Sequence, residues 1–130
     1  MLDGLQRLLF PPRCTFCRAF LQREEREGVC AACLSRIRFE QRLPLHPGGA
    51  FFDVCVSALR YEGDVREAIH RFKFRGRQSY AQVFGRLLAY AVAHQLTEDF
   101  DLVTFVPSNR ARMRKRGYNH AELLARDAAQ

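Results

Sequence analysis

Two cysteine pairs, Cys14-x2-Cys17 and Cys30-x2-Cys33, constrain this chain more than any other feature. Each pair can close a tight turn that aims two sulfurs at one point. Two such turns complete a tetrahedral four-thiolate shell, the closed coordination of structural zinc. An iron–sulfur cluster or a redox pair would use the same donors and stands as the alternative. The twelve residues between the pairs are slightly fewer than in the commonest ribbon spacing, yet two knuckles still meet across them. A closed four-sulfur shell leaves no position for water or substrate, so the site is expected to fold the segment and not to catalyse. The apolar residues around it are few: Phe16, Phe20, Leu21, Val29, Leu34 and Ile37. Metal binding of about 10–16 kcal/mol would replace the missing core.

The fifth cysteine, Cys55, stands apart in the apolar run FFDVCVSALRY and is expected to be buried in a strand. No basic region followed by an apolar core opens the chain, and no apolar run approaches the length of a membrane span. The expectation is a cytoplasmic protein whose cysteines serve a metal and not a disulfide framework. Hydrophobic residues make up 48% of the 130 positions, enough for a packed domain.

Beyond the cysteines the chain reads as alternating strands and helices. Leu2, Leu5, Leu8 and Leu9 recur at helical spacing, and Pro11 and Pro12 end that segment. Residues 43–50, rich in proline and glycine, read as a linker. A strand is expected over 53–61. A helix follows with Asp64 and Glu67 as a capping box, ending near Gly76. A longer helix runs from a second box, Ser79 and Gln82, to about Leu96. The apolar run Leu102 to Val106 reads as a buried parallel strand. A basic loop comes next, and Asn119 caps a last helix. This order opens an α/β sheet. It divides into a ribbon module with its helix over 1–42, a linker over 43–50, and an incomplete α/β domain over 51–130. Two strands leave that sheet unfinished. The expectation is a chain truncated from a longer one, or one that completes its sheet by pairing with another chain.

The stretch RARMRKRGYNHAE carries Arg110, Arg112, Arg114, Lys115 and Arg116 within seven residues, in a chain of net charge +7. Such charge favours anionic partners. It suits the phosphate backbone of single-stranded DNA, with Phe105 or Tyr118 stacking on bases. It equally suits a phosphorylated small ligand, and a solvated loop would read the same way. His120, beside the stretch, is a further phosphate candidate. The four histidines have no metal-ligand spacing with one another.

The paired cysteines, the segment YEGDVREAIHRFKFRG and above all FVPSNRARMRKRGYNHAELLA resemble the ComF/GntX-like proteins over nearly all of the chain. The resemblance implies an N-terminal zinc ribbon on a type I phosphoribosyltransferase-like, Rossmann-like fold. It also implies a link to natural competence and to the uptake or processing of single-stranded DNA. Competence and DNA-processing proteins would then be partners. By the same resemblance Lys73, Arg112, Arg114, Arg116 and Gly117 form an anion site, the arginines lying in a loop that closes over pyrophosphate. One departure matters. The acidic strand end and Thr-Gly turn that hold phosphoribosyl pyrophosphate in such a fold are missing from these 130 residues. Transferase activity and that ligand are therefore expected only in a longer chain. A phosphoribosyltransferase with an unidentified acceptor and a zinc-dependent protein-docking module are the alternative functions.

Overall fold

The structure is a computed structural model and describes residues 10–22, 25, 27–39, 55–96 and 99–130. Five helices organise them: α1 (Ala31–Arg36), α2 (Gly63–Phe74), α3 (Tyr80–Gln95), α4 (Arg110–Arg116) and α5 (His120–Ala128). The expected helix over 2–9 and the linker over 43–50 lie outside the described residues.

Helix α2 buries Val65, Ala68 and Phe72, the apolar stripe that 3.6-residue periodicity aligns on one face. Its start differs from expectation. Glu62 holds the N-cap position and no side chain caps the helix. Asp64 lies inside the first turn and pairs with Arg36. Gly76, at φ +66°, follows the C-cap residue Arg75. Helix α3 ends one residue short of the expected Leu96. Ser79 holds its N-cap position without a side-chain cap bond, because its backbone is already helical.

Two strand expectations fare differently from the helices. Of 53–61, the first two residues lie outside the description, and among the rest only Cys55 and Leu59 take isolated-bridge positions, Leu59 opposite Phe39. Residues 102–106 are extended chain with no ladder partner among the described residues, and Leu102 is 79% exposed. A β-prone run needs a neighbour for its backbone N–H and C=O groups, and no described segment supplies one. The described residues therefore contain helices and isolated bridges and no sheet. Cys55 is exposed and not buried as expected, and no sheet among the described residues covers it.

One hydrophobic cluster joins the cysteine segment to the helices. Cys14, Phe16, Cys30 and Cys33 share it with Val65, Phe72, Val83, Phe84 and Tyr118. Phe16, only 1% exposed, meets the Phe84 ring edge-on with centroids 5.9 Å apart. Phe84 in turn lies 5.6 Å from Phe72. Phe16 of the ribbon is thus part of a core that the helices complete, with Leu21, Val29 and Ile37 packed against it, while Phe20 and Leu34 stay exposed. Gly28 permits a close approach there. Its φ is +78°, and a Cβ would lie 2.8 Å from Val83 Cγ2.

Candidate metal centre and basic ridge

The first knuckle forms because the chain doubles back within a few residues. The Cys14 N–H donates to the Ala19 carbonyl at 2.8 Å, and the Arg18 N–H to the Cys14 carbonyl at 3.0 Å. An isolated bridge pairs Arg13 with Phe20, and the Arg13 guanidinium lies 4.1 Å from the Phe20 ring centre. Arg18 adopts φ +67° to make the turn, a strained choice for a residue with a Cβ. The second knuckle enters α1, where the Cys33 and Leu34 N–H groups donate to the Cys30 carbonyl. Glu25 stabilises that start. Its carboxylate accepts from Gln22 N–H at 2.9 Å and Ala31 N–H at 2.7 Å. Those two backbone donors hold the Glu25 carboxyl below the usual carboxylate range.

The two knuckles meet. The sulfurs of Cys14, Cys17, Cys30 and Cys33 all lie within 4.8 Å of one another. Cys17 and Cys30 are 3.6 Å apart, too far for a disulfide bond. A tetrahedral zinc–thiolate shell with bonds of about 2.3 Å needs sulfurs roughly 3.8 Å apart. The donor set and its spacing fit that ion.

The protons of the cluster make the same point. Burial pushes the Cys33 thiol up, and the neighbouring Cys17 and Cys30 thiols push further, to about 12, with Arg36 acting in the opposite sense. Burial likewise raises Cys30. Burial would raise Cys14 too, but N–H groups of Cys30, Cys17 and Phe16 hydrogen-bond its sulfur and bring it to about 7. Crowded, partly buried thiols resist ionising together unless a cation offsets their charge. Zinc, when bound, supplies that charge.

Helix α2 touches both knuckles. Arg36, on α1, places one guanidinium nitrogen 3.7 Å from Cys33 Sγ and 3.5 Å from Asp64 Oδ2 at the start of α2. Further along α2, Arg71 Nη2 donates to the carbonyls of Thr15 and Phe16 at 3.1 and 2.6 Å. Sequence reading missed Glu25, Arg36 and Arg71. Arg71 is 55 residues from Phe16, so only the tertiary structure relates them.

The basic stretch is a helix and not the expected loop. Asn109 Oδ1 accepts from Ala111 N–H at 2.8 Å, a side-chain cap that starts α4. Alanine, methionine, arginine and lysine all favour the conformation. Gly117, at φ +80°, ends it in the left-handed region. Ser108 Oγ donates to Asn119 Oδ1 at 3.0 Å and closes the base of this excursion. Asn119 caps α5 as expected, accepting from Ala121 N–H. Tyr118 is buried, and its hydroxyl donates to the Phe72 carbonyl. It anchors the ridge and is not available to stack on a base.

The expected anion residues divide into two groups. Arg116 Nη1 lies 3.3 Å from His120 Nδ1, and its guanidinium sits 4.8 Å from the centre of the Phe74 ring. Burial holds the His120 imidazole below its ordinary value, and the nearby Lys73 and Arg116 charges add to this. Lys73, Arg116 and His120 therefore share one neighbourhood. Arg112 and Arg114 are exposed on α4, and neither has a hydrogen bond or ion pair with another described residue. No described helix is long and apolar enough to cross a membrane.

No curated protein and no solved structure matches the chain. Residues 5–44 match the double zinc ribbon domain family. They contain four cysteines and no histidine, the ligands for one four-sulfur centre. With those sulfurs gathered at one point, the N-terminal segment of this chain is a zinc ribbon with a structural metal site.

Proposed function

We propose that the chain is a ComF-like accessory protein of DNA uptake and natural transformation, in which the zinc ribbon braces a cationic surface for phosphate groups. The carrying observation is the α4 ridge. Arg110, Arg112, Arg114 and Lys115 are exposed on it and have no acidic partner among the described residues. The resemblance of FVPSNRARMRKRGYNHAELLA and the zinc ribbon support the reading. The phosphoribosyltransferase-like α/β scaffold and the division at 43–50 belong to the same proposal. So do the anion-binding roles of Lys73, Arg116 and Gly117.

Single-stranded oligonucleotides should bind with an affinity that falls steeply with salt, because each neutralised phosphate releases counterions. Arg112→Ala with Arg114→Ala should weaken binding to all sequences alike. The salt slope should fall by about two, roughly one for each phosphate contact removed. Filter binding or fluorescence anisotropy across a salt series measures both. A double variant that binds as the parent does removes the ridge from the reading.

A phosphorylated small ligand is the second reading, favoured by the meeting of Lys73, Arg116 and His120. Pyrophosphate should then shift the His120 imidazole resonances, and Arg116→Ala should abolish the shift. Unmoved resonances at saturating pyrophosphate would leave the nucleic-acid reading alone.

A further inference from the structure

Two peptide groups of the first knuckle, between the ligands Cys14 and Cys17, are held by one side chain of α2. The N–H groups of these peptides, on Phe16 and Cys17, are among those that lower the Cys14 thiol. The opposite ends of these same two peptides are the Thr15 and Phe16 carbonyls. Both accept a hydrogen bond from one nitrogen, Arg71 Nη2, at 3.1 and 2.6 Å. The guanidinium charge thus sits at the carbonyl end of two peptides that link two metal-binding cysteines. Arg71 has no ion pair with any other described residue, and its Nε is buried without a hydrogen-bond partner among them. Among the described residues, the hydrogen bonds of its guanidinium go to the knuckle. A hydrogen bond to one end of a peptide polarises the other end, so a cation at the carbonyls strengthens the N–H groups as donors. Four thiolates around a divalent ion carry excess negative charge, and these donors stabilise it.

We propose that Arg71 is a positioning residue of the metal centre: from α2 it fixes and polarises the two peptides between Cys14 and Cys17, and so slows loss of the ion. This is independent of the nucleic-acid reading. Outer-shell partners of metal ligands change metal affinity by about 10–100-fold when removed.

The test uses the full chain loaded with zinc, and separately with cobalt as a spectroscopic probe. Arg71→Ala should speed zinc release to a chromogenic chelator by about 10–100-fold. It should also shift the sulfur-to-cobalt charge-transfer band, since a less stabilised thiolate is a stronger electron donor. Arg71→Lys, which returns a charged donor to a site that uses one nitrogen, should move both readouts back toward the parent. Arg86→Ala is the control. Arg86 also ties the ribbon to a helix, through the Glu27 carbonyl at 2.8 Å, but that peptide does not donate to a sulfur. It should leave the band unmoved. If Arg71→Ala does not fold, Arg71→Gln keeps an amide donor without the charge, and it should still release zinc faster with a shifted band. Parental release and an unshifted band in the folded Arg71 variants overturn the proposal. A shift no larger than that of Arg86→Ala does the same. A parent chain that binds no cobalt through four thiolates overturns it together with the metal centre.

Discussion

Phe16 lies between the two cysteines of the first knuckle and against Phe84, which in turn meets Phe72. One side chain thus serves both the metal segment and the helical core. Phe16→Ala should cost about 3–5 kcal/mol, because the cavity lies where neither side can collapse freely. Chemical denaturation of the zinc-loaded chain measures it, and a loss under about 1 kcal/mol would contradict a shared core. His120 makes a second residue-scale prediction. Its folded-state imidazole is held below the ordinary 6.5 by burial and by Lys73 and Arg116. The unfolded chain therefore binds that proton more readily. Stability is full above 6.5 and declines as pH falls below it, toward the folded value. His120→Gln should remove this component. The difference in denaturation midpoint between variant and parent, compared at about pH 7.5 and about pH 5.5, isolates it from acid effects on the thiolates.

Helices α3 and α5 pack closely enough that Gly85 has no room for a side chain. A Cβ there would collide with Asp127 Cβ and lie 3.1 Å from the Asp127 carbonyl carbon and 3.2 Å from the Ala128 nitrogen. Backbone atoms cannot step aside as a flexible side chain can. Gly to Ala inside a helix ordinarily gains up to about 1 kcal/mol in propensity. Here the sign should reverse, with a net loss of about 1–3 kcal/mol from overpacking. Thermal unfolding of Gly85→Ala reads the sign directly, and a raised midpoint would mean that the two helices stand further apart. The ridge helix α4 illustrates the opposite balance. It buries no residue, so its local propensity, the Asn109 cap and the tethers at Ser108 and Tyr118 hold it.

Across the described residues the metal site and the helices share one packed core. Phe16 enters the helical core, Arg71 and Arg86 reach from α2 and α3 to ribbon carbonyls, and Gly28 abuts Val83. Zinc binding of about 10–16 kcal/mol is comparable to the entire stability of a small domain. Removing the ion should therefore unfold α2 and α3 as well as the ribbon. Circular dichroism during chelation should show loss of most helical signal, with recovery when zinc is restored. Retention of the helical signal would show that the helices stand without the ribbon.

Local rules made much of this legible in the sequence. The cysteine pairs specify a four-sulfur centre, because two residues between ligands fix a knuckle whatever surrounds it. The apolar stripe of α2, the extent of α3 and the Asn119 cap follow from helical periodicity and side-chain chemistry within a few residues. The basic stretch reads as a loop in the sequence and folds as a helix, since its charge says where it is not buried and nothing of its backbone. Asp64 was a plausible cap by spacing, yet the helix begins before it. What local spacing could not give is which distant groups meet. Arg71 behind the knuckle, Phe16 among the helix phenylalanines, and Lys73 with Arg116 and His120 are all products of packing. A pair of residues more than fifty positions apart leaves no periodic trace along a chain, and only the folded core brings them within a hydrogen bond.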